Sequence, residues 1–422
     1  MTNAAAFAGA AFLQLMGAVL RALVLRARVR DSLVAPSSMF FALALLYASA
    51  LGFAGVVLGS TLLVCARLLP RPVDAPARSL LPWGALAVVV ALVLMRPWVP
   101  THWDEFVWLA KARFEAHGFG AGVRASLDTA QHVIPAGYPP LWPAAVGWLS
   151  LGGDGLETHV AAASLLVCWC AAAAAEAWWP VLRRREAGLL ALTVVAAAPL
   201  VWVHVRSVYV DLPVGLLTVA LLGFLLTDRI APACVLAVVL TGFKDEGVAH
   251  VLAATLGLFA SRTVKRPVLP WLTPALLALV AAVTWRWLLH RHGVGVIDHA
   301  AHAPVVEWLP TLGRLLVHHV TDLPTWGVFW AVAVGALVSA SMTPQVKALR
   351  WTFIAGLVFL VAALVTGPER VRVFAENGTL LNRMLMQSWP AAALLLVLRL
   401  NAPAGETSGT SPTRTAEPSS EK

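Results

Sequence analysis

The sequence predicts an all-α fold: a polytopic transmembrane helical bundle of about twelve spans, built from apolar runs near the ~20 residues that a bilayer crossing needs. Three observations carry this. The chain is 59% hydrophobic and only 13% charged, whereas a soluble domain has about twice that charged share. Its apolar runs are separated by short Arg/Lys clusters, the pattern of loops at a membrane face. The alternation of apolar and polar residues that marks a transmembrane barrel is absent from the sequence. The 18 Trp residues suit anchoring at the membrane interface.

Taken in order, the predicted spans are 4–25, 38–66, 80–98, 158–182, 187–204, 211–227, 231–243, 248–261, 269–289, 322–341, 351–366 and 384–400. Several are short for a full crossing. The pair 231–243 and 248–261 flanks Lys244 and reads as a hairpin that dips in from one side, a form tolerated where protein shelters the backbone. The first run lacks a basic n-region and is followed by further spans, so no cleavable signal peptide is predicted. Residues 1–400 form one integral membrane domain, with a first large outer loop at 99–157 and a second at 290–321. Within the first, "AGYPPLWPAAVGWLSLGG" holds an apolar run too short to span, which predicts an interfacial helix. Residues 401–422, rich in Ser, Thr, Pro and Gly, predict a disordered cytoplasmic tail.

The clusters "RRRE", "SRTVKR" and "QVKALR" all fall on one face in this count, which the positive-inside rule makes cytoplasmic. The opposite face carries "THWDEFVWLAKARF", "HVRSVYVD", "KDEG", the His-rich loop and "GPERVRVFAENG". One region conflicts: Arg21, Arg26, Arg28 and Arg30 would sit outside. The alternative is a first helix on the cytoplasmic surface, with 38–66 a hairpin bent at Gly52, Gly55 and Gly59.

The net charge of +9 lies in these loop clusters and is not a nucleic-acid footprint. Cys65, Cys168, Cys170 and Cys234 all lie in apolar runs and read as buried thiols rather than a disulfide framework. No phosphate-binding loop or dinucleotide fingerprint occurs. An internal repeat, which a transporter built from two halves would show, is not visible.

Asp104 and Glu105 stand at the end of a hydrophobic run between Trp103 and Trp108. On a helix, Asp104, Trp108 and Lys111 share one face, with Glu105 beside them. Carboxylates beside aromatic rings at a low-dielectric boundary gain proton affinity, which suits a general base; an interfacial anchor with solvated acids is the competing reading. On the same face Tyr138 precedes the Pro-Pro pair, Arg206 and Asp211 stand around the start of a span, Lys244, Asp245 and Glu246 lie between two short runs, and Arg383 opens the last span. Ionisable groups at membrane depth are costly and are functional candidates by default.

At these residues the chain resembles the GT-C superfamily of polytopic membrane glycosyltransferases, in particular its protein O-mannosyltransferase-like and aminoarabinose-transferase-like bacterial members. The resemblance is one of ordered motifs over roughly 80–400. It consists of an acid after a span in the first outer loop (Asp104, then Glu105), a Pro-Pro-Leu opening to a juxtamembrane helix (Pro139, Pro140, Leu141), an Arg followed by an Asp at a helix head (Arg206, Asp211), a Lys between two short helices (Lys244), and a basic residue opening the last core helix (Arg383). The chain lacks the large soluble C-terminal domain of several relatives.

The resemblance implies a sugar moved from a polyprenyl-phosphate donor to a hydroxyl acceptor on a glycolipid, polysaccharide or protein, with inversion, at the periplasmic face of a bacterial inner membrane. Asp104 is then the catalytic base and Glu105 its alternative. Lys111, Tyr138, Arg206, Asp211, Lys244, Glu246 and Arg383 form the donor- and acceptor-binding set, with Lys244, Arg206 and Arg383 on the phosphate. Two other readings compete: an O-antigen ligase or polymerase acting on lipid-diphosphate glycans, and a lipid or sugar transporter.

The loop with His290, His292, Asp298, His299, His302 and Glu307 offers imidazole and carboxylate ligands. Its spacing matches no zinc motif, so no metal or other cofactor is assigned. "NGT" at 377–379 fits the N-glycosylation pattern, but nothing in the sequence marks a eukaryotic secretory setting.

Overall fold

A computed structural model describes residues 2–68, 103–131, 137–151, 153, 155–182, 199–261, 268–295, 305–338, 343–378 and 380–400. The predicted span 80–98, the basic cluster at 183–186, most of the span 187–204, Asp298, His299, His302 and the tail 401–422 lie outside the described residues.

Among the described residues the fold is helical throughout, with no strand. In chain order the helices are α1 Thr2–Leu25, α2 Val29–Leu33, α3 Ser38–Ala50, α4 Phe53–Leu68, α5 Trp103–Arg113, α6 Ala121–Leu127, α7 Leu141–Leu149, α8 Leu156–Trp178, α9 Pro199–Val205, α10 Asp211–Leu226, α11 Ile230–Phe243, α12 Gly247–Ser261, α13 Leu269–Arg291, α14 Leu309–Val320, α15 Leu323–Trp326, α16 Phe329–Val338, α17 Pro344–Thr366, α18 Glu369–Glu376 and α19 Leu381–Leu400. Four segments, Ala4–Leu25, Leu156–Trp178, Leu269–Arg291 and Pro344–Thr366, are long and apolar enough to cross a membrane, as an integral membrane protein requires.

The core is built on α10 and α11. Every residue of α11 is buried, and α10 is buried on nearly every side. A helix that is apolar all round must be enclosed by others, and α10 is enclosed by α8, α11, α12 and α19. Helices α1, α13 and α17 form part of the outer layer. They leave Leu15, Leu23, Val283, Trp287 and Val358 exposed, a lipid-facing apolar surface. Close approach of α10 to α19 depends on Gly215, where a Cβ would strike the Gln387 carbonyl oxygen.

Two predicted spans are broken. The run 38–66 divides at Gly52, whose φ of 64° is left-handed, and α4 folds back against α3. The run 322–341 divides into α15 and α16 at Gly327. The bend at Gly52 is one of the three that the hairpin alternative named, while Gly55 and Gly59 lie inside α4; the break at Gly327 is invisible to a hydropathy average, which does not register a left-handed backbone position.

A buried polar cluster fixes which end of the bundle the N-terminal arginines follow. Glu176, near the end of α8, accepts hydrogen bonds from the Ser37 backbone N–H (2.8 Å), the Ser37 hydroxyl (3.1 Å) and the Arg21 guanidinium (3.3 Å). Arg229, between α10 and α11, pairs with the same carboxylate at 3.5 Å and donates to the Glu176 carbonyl at 2.9 Å. The end of α1, the start of α3, the end of α8 and the start of α11 therefore share one end of the bundle. Helix α1 lies along α3 and α8. The arginines that follow it join the end from which the chain runs on to "RRRE".

This placement predicts labelling by an impermeant thiol reagent. Cys introduced at Arg28 and at Arg184 should be labelled from the same side of the membrane, and Cys introduced at Arg372 from the other. Opposite sidedness for positions 28 and 184, read by mass shift in sealed vesicles, would overturn the shared end.

Candidate functional site

At the other end of α10 the polar groups gather on one carboxylate. Asp211 is the first residue of α10 and is fully buried. A buried carboxylate is costly unless its oxygens are paired, and here three side chains pair them. Lys244 Nζ donates to Oδ1 at 2.8 Å, Gln387 Nε2 donates to Oδ1 at 2.8 Å, and Arg383 Nε donates to Oδ2 at 3.0 Å.

Local sequence explains each approach. Helix α11 ends where Lys244 turns extended, at φ −157° and ψ 149°, so its side chain leaves the helix toward the head of α10. Arg383 and Gln387 are i and i+4 on α19, hence neighbours on one face, and Gly215 lets that face close on α10. The Arg383 guanidinium also lies 4.8 Å from the Tyr209 ring centre, a favourable cation–aromatic placement.

Lys244 makes a second ion pair, at 3.2 Å, with Glu246. Burial pulls the Lys244 ammonium down, but Asp211 and Glu246 outweigh it and hold it above the ordinary lysine range. The site is thus a fixed array of two permanent cations and two carboxylates, placed by the heads of α10 and α19 and the α11–α12 turn.

A second cluster adjoins it. Asp245 pairs with Arg286 of α13 at 2.9 Å. Lys111 of α5 is buried, with its ammonium 5.5 Å from the Trp108 ring centre, and feels the charge of Asp245. Burial pushes the Lys111 ammonium down to about 7, against the pull of Asp245. Burial pushes the Asp245 carboxyl up to about 7, against the opposing effect of Arg286. Tyr138 packs edge-on against Trp108 at 5.6 Å. Its segment is tied to α13 by Trp285, whose indole N–H donates to the Gly137 carbonyl at 3.1 Å. Trp142 of α7 donates to the Val208 carbonyl at 2.8 Å, which joins the Pro-Pro-Leu helix to the chain entering α10.

The structure therefore brings Asp211, Lys244, Glu246 and Arg383 together, with Lys111 and Tyr138 in the adjoining cluster. Arg206 is half-buried in the turn between α9 and α10. Glu105 is buried on α5 rather than solvated. Asp104 is on the same helix, and its side chain lies outside the described residues. Glu115, in the turn after α5, is a structural acid. It accepts the Gly120 and Gly122 backbone N–H groups at 2.9 and 2.8 Å and the Trp148 indole N–H at 2.7 Å.

Sequence reading missed Gln387, His250 and the Asp245–Arg286 pair as site members. His250 Nε2 meets Gln387 Oε1 at 2.8 Å. The available signal was spacing: Gln387 is one turn from Arg383, and His250 one turn from Glu246. Among the described residues no group of three or more His, Cys, Asp or Glu is placed to hold a metal ion.

Comparison of the chain with protein-family models, with curated proteins and with solved structures finds no match.

The Asp245 carboxyl supplies a pH prediction. Its folded pKa, about 7, is raised above the ordinary 3.8. Its contribution to stability is thus fully present below the unfolded value and is lost as pH rises through about 7. Lys111, lowered to about 7 from 10.5, runs the other way and loses its contribution as pH falls toward 7. Asp245→Asn removes the first limb. The melting temperature of the wild type relative to this variant should fall between about pH 4 and 7, by the equivalent of a few kcal/mol at about 1.4 kcal/mol per unit. A difference flat in pH would place the Asp245 carboxyl in water.

Proposed function

We propose that the chain is a membrane glycosyltransferase of GT-C type, with about twelve spans, that moves a sugar from a polyprenyl-phosphate donor to a hydroxyl acceptor. The acceptor class is a glycolipid, polysaccharide or protein, and the reaction face is the outer face of a bacterial inner membrane. The observation that carries this reading is the convergence of Lys244 and Arg383 on the buried Asp211 carboxylate at one end of an apolar bundle.

The chemistry asks for such an array. The bond between the anomeric carbon and the phosphate oxygen breaks, and the phosphate leaves with the electron pair and added negative charge. Preorganised cations stabilise charge that develops in the transition state, because they need no reorganisation when it forms. Asp211 has both oxygens taken by donors. Its role here is to hold Lys244 and Arg383 in place rather than to take a proton. The acceptor oxygen forms the new bond to the anomeric carbon, and its proton goes to a carboxylate of α5: Asp104 in this proposal, with Glu105 as the alternative. Attack opposite the leaving phosphate inverts the anomeric centre. Charged groups lying at the two ends of α10, rather than along its length, favour an interfacial reaction over a transport path through the bilayer.

Two measurements test this. Lys244→Ala should weaken binding of a polyprenyl-phosphate sugar by about 10- to 150-fold, the value of a lost charge-assisted contact, with Arg383 and Gln387 still pairing Asp211 and a cooperative melting transition kept at a lowered temperature. Unchanged affinity in the folded variant would remove Lys244 from the donor site. Asp104→Asn should lower turnover by about 10²–10⁴ and spare donor binding, with Glu105→Gln milder. The reverse ranking would move the base by one residue, and near-native turnover in both would leave the pair as an interfacial anchor.

A further inference from the structure

Beside the charged site an open cleft with one apolar and one polar wall runs between α12, α17 and α19. Its apolar wall is Phe359, Leu360, Ala363 and Met384, and its polar wall is Glu246, His250, Gln387 and Ser388. The hydrogen-bond polarity of that wall follows from Asp211. The Asp211 carboxylate, paired with two cations, only accepts hydrogen bonds. The Gln387 group 2.8 Å from it must therefore be the amide NH₂, which directs the Gln387 carbonyl oxygen to His250. That oxygen also only accepts, so the His250 nitrogen 2.8 Å away, Nε2, carries a hydrogen. In the neutral ring the other nitrogen, Nδ1, then keeps its lone pair. The wall offers an imidazole lone pair and the Glu246 carboxylate, both acceptors, while the cations Lys244 and Arg383 are engaged by Asp211.

We infer that this cleft binds the acceptor substrate: an apolar molecule with hydroxyl groups at its head, one of which, apart from the reacting hydroxyl, donates its O–H to His250 or to Glu246. A phosphate-headed lipid meets like charge at Glu246 and a lone pair at His250, so its head belongs with Lys244 and Arg383 instead. As a subsite for the acceptor this rests on the glycosyltransferase reading; as a binding site for a long-chain alcohol it stands without it.

Photoaffinity labelling of the full chain in nanodiscs tests it, with diazirine-bearing hexadecanol and hexadecyl phosphate as the two probes. The alcohol should mark Phe359, Leu360, Ala363 or Met384, and the phosphate should mark them several-fold less. His250→Leu should reduce alcohol labelling by about two- to tenfold, the range for one hydrogen bond. Gly356→Leu fills the cleft from α17, where a Cβ meets only the Ser388 hydroxyl at 4.0 Å. It leaves the Asp211 pairs alone and should abolish labelling, so the site stays testable if the His250 variant does not fold. Stronger labelling by the phosphate, alcohol adducts elsewhere, or labelling unchanged in a folded His250→Leu would overturn the assignment. Cleft labelling without sugar transfer would sink the glycosyltransferase reading and leave the site, whereas sugar transfer without cleft labelling would do the reverse.

Discussion

A carboxylate with no access to water must find several donors, and Asp211 finds three, on two separate stretches of chain. Lys244 comes from the end of α11, Arg383 and Gln387 from the head of α19. Removing one partner from a buried pair typically costs about 3–5 kcal/mol, because the remaining charge is left uncompensated. The arrangement of α10, α11 and α19 is thus tied to a charge balance. The hydrogen-bond orientation of Gln387 and the tautomer of His250 follow from the same carboxylate, so the chemistry offered to the neighbouring cleft is set by a group that does not line it.

Glu176 performs the corresponding task at the far end of the bundle. It ties α1, α3, α8 and the start of α11 through Arg21, Ser37 and Arg229. Between the two carboxylates the interior is apolar, and α11 crosses it with Thr241 alone offering a polar side chain, which is satisfied by the Ala237 carbonyl. Electrostatic pairing at the ends and close packing between them together fix the register of helices whose apolar surfaces alone would permit sliding.

Much of this was legible in the sequence. Asp211, Lys244 and Arg383 each interrupt an apolar run, and an interruption by charge is what a hydropathy pattern displays best. The helices that begin or end at these residues follow from the same signal. Gln387 and His250 were not legible, because a neutral polar residue inside an apolar helix barely moves the average; only their i,i+4 relation to Arg383 and Glu246 marks them. The break at Gly327 was hidden because the residues around it are as apolar as those within the helices, whereas Gly52 stood out as one of three closely spaced glycines in its run. The pairing of Arg21 with Glu176 joins positions 155 apart in sequence, a distance over which no local pattern speaks.

The length of α11 carries a consequence for the depth of its charged ends. Arg229 and Lys244 bracket its 14 residues, a rise of about 21 Å, against a hydrocarbon thickness of about 30 Å. Both charged ends cannot stand at headgroup level in an undeformed bilayer. Since no residue of α11 faces lipid, the shortfall lies inside the protein: a charged end stands below the headgroups, sheltered by its ion pairs with Asp211 or Glu176.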